Sequence, residues 1–386
     1  MKTFDRDGRK IRGYAIISKG DTPEKLKRGV WRIPSQSGNG SYLVQAHVHK
    51  GVERQLFECS CPDWNNNIQD CKHIHAIRFW LDTKEKVENH EPMQAPAAQT
   101  YTVNICPCCK SQHIIKRGKR KNALVEKQTY ACKDCGKRFV LDVARNTKGD
   151  GNLVTLCLDL YFKGISLRKI QDHLLQFYGF EISHMTIQRW IRRFMALANQ
   201  HAKAMQPKVE VGGLWHTDEQ MIRNNGKFLY VWNCIDAKTR FLLANNVTEG
   251  REVWEARQIF AKTKPFGQPD IIMTDGLPAY SRAVKKEFST WTSSIKHVRA
   301  DGLRSKKKNN NMVERFHNTF RERDKVMRGF KGQKNAEFLA EAFQTYYNFV
   351  RPNQALSGLT PSEVAGIKSS GNKWKVLLEH AAQGPQ

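Results

Sequence analysis

The fold is decided by the stretch Ile271-Ile272-Met273-Thr274-Asp275-Gly276-Leu277-Pro278-Ala279-Tyr280. Its first four residues predict a short buried strand that ends before Gly276 and Pro278. Asp275 follows that strand directly, and carboxylates at the carboxyl end of a strand in an α/β sheet are often catalytic. The alternative is that Asp275 only caps the helix that begins near Leu277.

A second carboxylate, Asp218, lies far from Asp275 in the sequence but also on a predicted strand. Residues 214–222 are followed by Asn224-Asn225-Gly226, a signal for a tight hairpin turn. Further apolar strands are predicted at residues 228–236 and 241–244. Asp218 is therefore expected on the first strand of an antiparallel meander.

A third carboxylate, Glu314, lies on a predicted helix. Val313, Phe316 and Phe320 recur at helical spacing, and Glu314 lies beside the apolar stripe that they form. These three carboxylates, in this order, favour a catalytic interpretation of Asp275 over a capping role.

The segments around the three carboxylates resemble the acidic motifs of DDE transposases and integrases. The matching stretches are Trp215-x-x-Asp218-Glu219, Thr274-Asp275-Gly276-x-x-Ala279-Tyr280, Asn310-x-x-x-Glu314-Arg315-Phe316-His317 and Tyr347-Asn348-Phe349-x-Arg351-Pro352-Asn353-Gln354-Ala355-Leu356. The resemblance is to transposases of bacterial and archaeal insertion sequences that have a retroviral-integrase-like core, and it covers residues 150 to 367 of the chain. The spacing from Asp275 to Glu314 is 39 positions, longer than is common in these families.

The resemblance implies that Asp218, Asp275 and Glu314 are catalytic and bind two Mg²⁺ or Mn²⁺ ions. Asp218 would bridge both ions, and the other two carboxylates would each hold one. Two such ions can activate an attacking oxygen and stabilise a leaving oxygen in phosphodiester chemistry. Hard divalent cations prefer oxygen ligands, which carboxylates supply.

Three other carboxylates compete for the site and rank below this triad. Glu219 is expected on the opposite strand face from Asp218, because side chains alternate along a strand. Asp236 lies at a turn, where it can act as a cap. Asp270 precedes its strand, directly after Pro269.

The predicted catalytic domain covers residues 210–367 and has the order β-β-β-α-β-α-β-α. This order predicts an α/β fold, an RNase H-like mixed five-stranded sheet with flanking helices. Helices are expected at 252–262 and at 336–350, the latter with Asn335 as its N-cap. Residues 368–386 are expected to form a C-terminal tail.

The composition of the 386-residue chain indicates a polyanionic partner. The net charge is +27 and the pI is about 9.8, which favours double-stranded DNA. The start of the sequence predicts no signal peptide, and no apolar run is long enough to predict a membrane span. We therefore expect a cytoplasmic, nucleoid-associated protein of a prokaryotic host. In that reducing compartment the ten cysteines are expected to bind metal rather than form disulfides.

Residues 1–83 are predicted to form a first zinc module. The expected ligands are Cys59, Cys61, Cys71 and His73, with His75 as the rival to His73. The order Cys-x-Cys…Cys-x-His resembles the SWIM zinc finger. Residues 84–100 have the composition of a linker.

Residues 101–145 are predicted to form a zinc ribbon. Two Cys-x-x-Cys knuckles supply Cys106, Cys109, Cys132 and Cys135, and Cys108 is a spare thiol that could replace one of them. Between the knuckles lies a basic hairpin tip that is expected to contact DNA phosphates. Its basic residues are Lys116, Arg117, Lys119, Arg120 and Lys121.

Residues 150–205 are predicted to form a helix-turn-helix. Ser166 is expected to cap the first helix, and the second helix, from His184, would enter the major groove. Its candidate DNA contacts are Gln188, Arg189, Arg192 and Arg193. The alternative is an ordinary helical hairpin. The basic loop with Lys306, Lys307 and Lys308 is a further candidate contact.

The expected function is that of a DNA transposase that cuts element ends to free a 3′-hydroxyl and joins that end to target DNA. Expected partners are the terminal inverted repeats, the target DNA and further copies of this chain on DNA. The alternatives are a transposase-derived DNA-binding protein without catalysis and a nuclease that hydrolyses without joining.

Overall fold

The computed structural model describes residues 6–18, 21–36, 40–47, 56–88, 105–122, 124–140, 142–144, 146–289, 295–300 and 310–383. The N-terminal module is an antiparallel sheet of four strands, in sequence order, with three helices. Its elements are α1 (Arg6–Ser18), β1 (Glu24–Lys27), β2 (Val30–Pro34), β3 (Ser41–His47), β4 (Leu56–Cys59), α2 (Pro62–Asn67) and α3 (Lys72–Glu88). Ile74 and Ile77 of α3 are buried beside the cysteines. The helix continues to Glu88, within the stretch predicted as linker.

A three-stranded antiparallel sheet follows, in the order β5-β6-β7. Its strands are β5 (Ile114–Lys121), β6 (Glu126–Cys132) and β7 (Arg138–Val140). Phe139 packs against Cys106 and Cys132 in a small core of its own. The basic residues expected at a hairpin tip instead lie along β5, where each is exposed.

Three helices connect this sheet to the larger, C-terminal domain: α4 (Gly151–Phe162), α5 (Leu167–Tyr178) and α6 (His184–Met205). The hydroxyl of Ser166 accepts a hydrogen bond from the Lys169 backbone N–H at 3.4 Å, so the predicted cap of α5 is confirmed. Ser183 caps α6 in the same way, through the Thr186 N–H at 3.2 Å.

The larger domain has the predicted order of elements from its first strand to its closing helix, and two further helices follow that were not predicted. Its elements are β8 (Leu214–Asn224), β9 (Lys227–Asp236), β10 (Leu242–Thr248), α7 (Val253–Thr263), β11 (Ile271–Thr274), α8 (Pro278–Phe288), β12 (Lys296–Arg299), α9 (Asn311–Met327), α10 (Gln333–Phe349), α11 (Pro361–Val364) and α12 (Lys373–Gln383). The closing helix is α10, and the two that were not predicted are α11 and α12. The sheet order is β10-β9-β8-β11-β12. The first three strands are antiparallel, and β11 runs parallel to both β8 and β12. The predicted mixed five-stranded, RNase H-like sheet is confirmed.

The bounds of one strand and one helix differ from the prediction. Strand β10 continues past Ala244 to Thr248, since the Asn245 amide donates to the Ala340 carbonyl at 2.9 Å and its polar side chain is therefore satisfied. Helix α10 begins at Gln333 with Gly332 as N-cap, so the expectation that Asn335 caps it is wrong.

The residues expected to form a C-terminal tail fold instead as α12. Trp374, Leu377 and Leu378 recur at helical spacing and are buried in the main core. None of the helices in the described part of the chain is both long enough and apolar enough to cross a bilayer.

Candidate active site

The site forms where β11 ends beside the middle of β8. The two strands pair from Ile271 opposite Leu214 to Met273 opposite His216. Extending this register by two residues brings Asp275 level with Asp218. Because β11 ends at Thr274, none of the described strands pairs with this edge of β8 beyond that point, and this leaves room for side chains. Phe330 bridges Asn224 only at the far end of β8.

Three carboxylates converge in that space. Asp218, Glu219 and Asp275 each offer one oxygen, and these oxygens lie within 4.8 Å of one another. The Asp218 side chain is 15% exposed and that of Asp275 is 36% exposed. The site is therefore accessible from the side of Asp275 and closed behind Asp218.

Glu219 lies on the strand face opposite Asp218, as strand alternation predicts, yet its low rank among the candidates did not anticipate that its carboxylate joins the cluster. Its side chain does leave β8 towards α8, where the Tyr280 hydroxyl donates to Oε2 at 2.5 Å. The carboxylate nevertheless reaches the cluster, because β11 stops short and leaves the space beside β8 open.

Arg251 is a cationic partner of this cluster that no sequence motif indicated. Its Nε donates to Glu219 Oε1 at 2.5 Å, and its Nη2 lies 3.7 Å from Asp275 Oδ2. The residue lies between β10 and α7, where neither periodicity nor spacing singles it out. Only the folded chain brings it to the carboxylates.

Helix α9 is fixed to β8 at the points on either side of Glu314. The His216 Nδ1 and the Asn310 Oδ1 lie 2.9 Å apart, and the Asn310 amide donates to the Thr217 carbonyl at 3.1 Å. One turn beyond Glu314, the His317 Nδ1 lies 3.9 Å from Asp218 Oδ2. Glu314 is on the same helical face, between these two contacts, and its charge contributes to raising the pKa of Asp218. Its carboxylate is not, however, among those that lie within 4.8 Å of one another.

The carboxylates of the site are costly to ionise without a bound cation. Burial, followed by the charges of Glu219 and Asp275, raises the pKa of Asp218 to about 8. Burial also raises the pKa of Glu219 and of Glu314. A divalent cation would relieve this desolvation and repulsion, so the donor set fits hard cations such as Mg²⁺ or Mn²⁺.

The two buried histidines of the site are neutral. Burial lowers the pKa of His216 to about 4 and that of His317 to about 3. The Asn233 amide lies 3.2 Å from the Nε2 of His317 and can only donate there. The proton of neutral His317 is therefore on Nδ1, the nitrogen that faces Asp218.

The other two competing carboxylates lie away from the cluster. Asp236 is fully buried and accepts from the Thr239 N–H and hydroxyl, both at 2.7 Å, so its predicted capping role is confirmed. Asp270 is 68% exposed and its partner is Lys10, at 3.4 Å.

The N-terminal module brings together the four predicted ligands Cys59, Cys61, Cys71 and His73, with ligand atoms within 4.8 Å of one another. The Nδ1 of His73 lies 3.7 Å from the Cys59 sulfur and 3.8 Å from the Cys71 sulfur. Tetrahedral zinc with Zn–S bonds of about 2.3 Å separates its ligands by about 3.8 Å, so the cluster has the dimensions of a zinc site. His75 is not part of it.

The second cluster consists of Cys106, Cys109, Cys132 and Cys135. The sulfurs of Cys106 and Cys135, and those of Cys109 and Cys132, are 3.5 Å apart. These distances exclude disulfides, whose sulfurs lie about 2.05 Å apart, and fit four thiolates around one ion. Cys108 is exposed and outside the set.

The candidate DNA contacts occupy three locations. The five basic residues of β5 are exposed. On α6, Arg189 and Arg193 are exposed, and Gln188 is half-buried. Arg192 is exposed but already donates to the Asn335 Oδ1 at 2.7 Å. Lys306, Lys307 and Lys308 lie outside the described residues.

Comparison with known proteins finds a match in the central part of the chain. Residues 213–352 match the family model that is described as a DDE domain, of the IS240 type. The segment contains Asp218, Asp275 and Glu314, and the sheet and helices that carry them.

Two relatives belong to insertion elements. A 48.3 kDa protein of insertion element ISM1 from Methanobrevibacter smithii is 28% identical over 197 residues, which cover 47% of each protein. The transposase for insertion sequence element IS257 from Staphylococcus aureus is 24% identical over 226 residues, which cover 56% of this chain and 93% of that protein. The chain thus spans about half the length of the first relative and nearly all of the second.

Among solved structures, the HTLV-2 integrase catalytic core domain in complex with magnesium aligns with 40% of this chain and 97% of that one. The identity is 14% and the TM-score is 0.31.

Proposed function

We propose that this protein is a DNA transposase that cuts the ends of its element and joins them to target DNA. The observation that carries the proposal is the convergence of Asp218 and Asp275 at the open end of β11. Glu314 lies in the first turn of α9, the helix that Asn310 and His317 bring against β8. All three carboxylates lie within the segment that matches the DDE domain.

The three carboxylates would hold two Mg²⁺ or Mn²⁺ ions. When bound, the ions supply activation of the attacking oxygen and stabilisation of the leaving oxygen at the phosphorus. The Glu219 backbone N–H donates to Asp218 Oδ1 at 3.0 Å and limits the rotation of that carboxylate. Asn310, through His216, fixes the start of the helix that carries Glu314.

The reaction needs no nucleophilic side chain. Water attacks the phosphodiester at the element end, the bond to the 3′ oxygen breaks, and the released 3′-hydroxyl later attacks a phosphodiester of the target. The leaving oxygen of the target takes up the proton that the attacking hydroxyl loses. No bond between protein and DNA forms in either step.

The remaining modules would bind the element ends. Two zinc ions are assigned to the two cysteine clusters, and the basic face of β5 and the helix pair α5–α6, as a helix-turn-helix, supply the DNA contacts. Double-stranded DNA, both terminal repeats and target, is the proposed partner, with several copies of the chain acting together on it. Such a protein works at the nucleoid of a prokaryotic host.

The test combines pre-cut terminal DNA with a supercoiled plasmid in Mg²⁺. A transposase joins the terminal DNA to the plasmid. Nicked plasmid without joined product identifies a nuclease, and a bound complex without either product identifies a non-catalytic DNA-binding protein. Either of these outcomes refutes the proposal.

A further inference from the structure

We propose that Arg251, held in place by Glu219 and Tyr280, binds a phosphate of the DNA backbone next to the catalytic carboxylates. The proposal rests on the transposase function and adds to it a phosphate-binding residue that belongs to none of the acidic motifs. Glu219 and Tyr280 act in it as positioning residues.

The Glu219 side chain is turned towards the Arg251 guanidinium rather than towards solvent. The side chain is only 3% exposed. One oxygen accepts from the Tyr280 hydroxyl and the other from the Arg251 guanidinium. Tyr280 is itself fully buried, and its ring packs edge-to-face against Trp232 with the ring centroids 5.5 Å apart. The side chain that supports Glu219 is therefore rigidly held.

The guanidinium uses only part of its hydrogen-bonding capacity on Glu219. The edge formed by Nε and Nη2 faces a single oxygen, Oε1, of that carboxylate. Among the described residues, Nη1 of Arg251 has no hydrogen-bond partner, and the side chain is 42% exposed. A planar guanidinium with one edge occupied can present its other edge to two oxygens of a phosphate.

The guanidinium lies beside the place where DNA must lie. Nη2 is 3.7 Å from Asp275 Oδ2, too long for a hydrogen bond but close enough for attraction. Asp275 is the most exposed carboxylate of the cluster, so a DNA strand that reaches the site passes this side. Once a cation neutralises Asp275, the guanidinium is free to pair with the incoming phosphate.

The competing explanation is that Arg251 only neutralises buried acids. A binding experiment separates the two, because only a phosphate contact couples Arg251 to one position on the DNA. The probe is a duplex with the element's terminal repeat in which single phosphates around the cut site are replaced, one at a time, by neutral methylphosphonates. Affinity is measured in Ca²⁺, which we expect to permit binding with little turnover.

We expect Arg251→Ala to weaken binding of the unmodified duplex by about 10- to 100-fold, the range for a charged hydrogen-bonded contact. At one position, the methylphosphonate should weaken wild-type binding but cause no further loss in Arg251→Ala. Arg251→Lys keeps the positive charge but loses the planar guanidinium edge that can bind two phosphate oxygens, so it should lose part of the affinity for DNA. Arg257→Ala is the matched control, because Arg257 lies nearby in the sequence, on α7, but already pairs with Glu287 at 2.7 Å.

The proposal would be overturned if, at every position, the affinity losses from the methylphosphonate and from Arg251→Ala multiply. It would also be overturned if Arg251→Ala binds DNA as tightly as Arg257→Ala. If Arg251→Ala does not fold, the same comparison with Arg251→Lys decides. Joining by the wild-type protein is measured in parallel. If Arg251 is coupled to one phosphate but the protein does not join terminal DNA to the plasmid, only the transposase function is refuted. If the protein joins the DNA but Arg251 is coupled to no phosphate, only the phosphate contact is refuted.

Discussion

Replacing Asp218 with Asn should stabilise the protein in the absence of divalent cations, and the effect should grow with pH. The carboxyl group is packed between β8 and α9 with a neutral histidine on one side and two carboxylates on the other. Its pKa in the folded protein is about 8, because burial and like charges disfavour ionisation. Asn has nearly the same shape and carries no charge.

The magnitude follows from proton binding. The pKa in the unfolded chain is about 3.9, so the folded state binds the proton more tightly and wild-type stability falls as pH rises from about 4 to about 8. Each pH unit in this window lowers the free energy of unfolding by about 1.4 kcal/mol. Because Asp218 in the folded protein is half ionised at the upper end of the window, the loss between pH 6 and pH 8 is about 2 kcal/mol. For a domain of about 150–250 residues this corresponds to about 4–8 °C in melting temperature.

Thermal unfolding at pH 6 and pH 8, followed by near-UV circular dichroism, measures the effect. The buffer contains neither Mg²⁺ nor a chelator, so that bound zinc is retained. The melting temperature of Asp218→Asn minus that of the wild type should widen by the stated amount at pH 8, and Mg²⁺ should raise only the wild-type value. Asp172→Asn, an exposed carboxylate on α5, is the control. A gap that is equal at both pH values, or narrower at pH 8, would refute the reasoning.

Metal analysis should give two zinc ions per chain, and Cys59→Ala and Cys132→Ala should each lose one; a wild-type count of one or none would remove the corresponding module. DNA affinity should fall linearly with salt on a log–log plot, whereas a flat dependence would count against phosphate contacts. Arg189→Ala should reduce the preference for terminal over random DNA, unless equal losses on both identify it as a phosphate contact. Asn310→Ala should lower the free energy of unfolding in urea by about 1–3 kcal/mol, because His216 and a buried carbonyl lose their partner; a loss no larger than that of Asn318→Ala, on the exposed side of α9, would contradict this.

The order of elements in the catalytic domain could be predicted because its strands are short apolar runs with strong turn signals between them. Asn224-Asn225-Gly226 marks the hairpin, and Gly276 and Pro278 mark the end of β11. Both clusters of cysteine and histidine ligands could be predicted as well, since the spacing of the residues is local. The helix α12 could not be assigned, because its apolar residues depend on a distant surface for burial.

The sequence does not predict which side chains surround the carboxylates. Strand alternation places Glu219 on the face opposite Asp218, but the gap beyond β11 lets carboxylates from both faces meet. Arg251 reaches them from a connection that has no motif. Asn335 has the right residue type for an N-cap, yet in the fold it binds Arg192 while Gly332 takes the capping position. In each case a contact between segments distant in sequence decides the outcome.

The central claim is that Asp218, Asp275 and Glu314 hold the metal ions for cutting and joining DNA. The most direct measurement compares cleavage and joining rates of Asp218→Asn, Asp275→Asn and Glu314→Gln with the wild type in Mg²⁺ or Mn²⁺. Each variant should lose both activities by orders of magnitude, while binding of terminal DNA in Ca²⁺ stays near the wild-type value. If Glu314→Gln remains active while Glu219→Gln is inactive, Glu219 is the third ligand, and if all three variants stay active the assignment of the catalytic site is wrong.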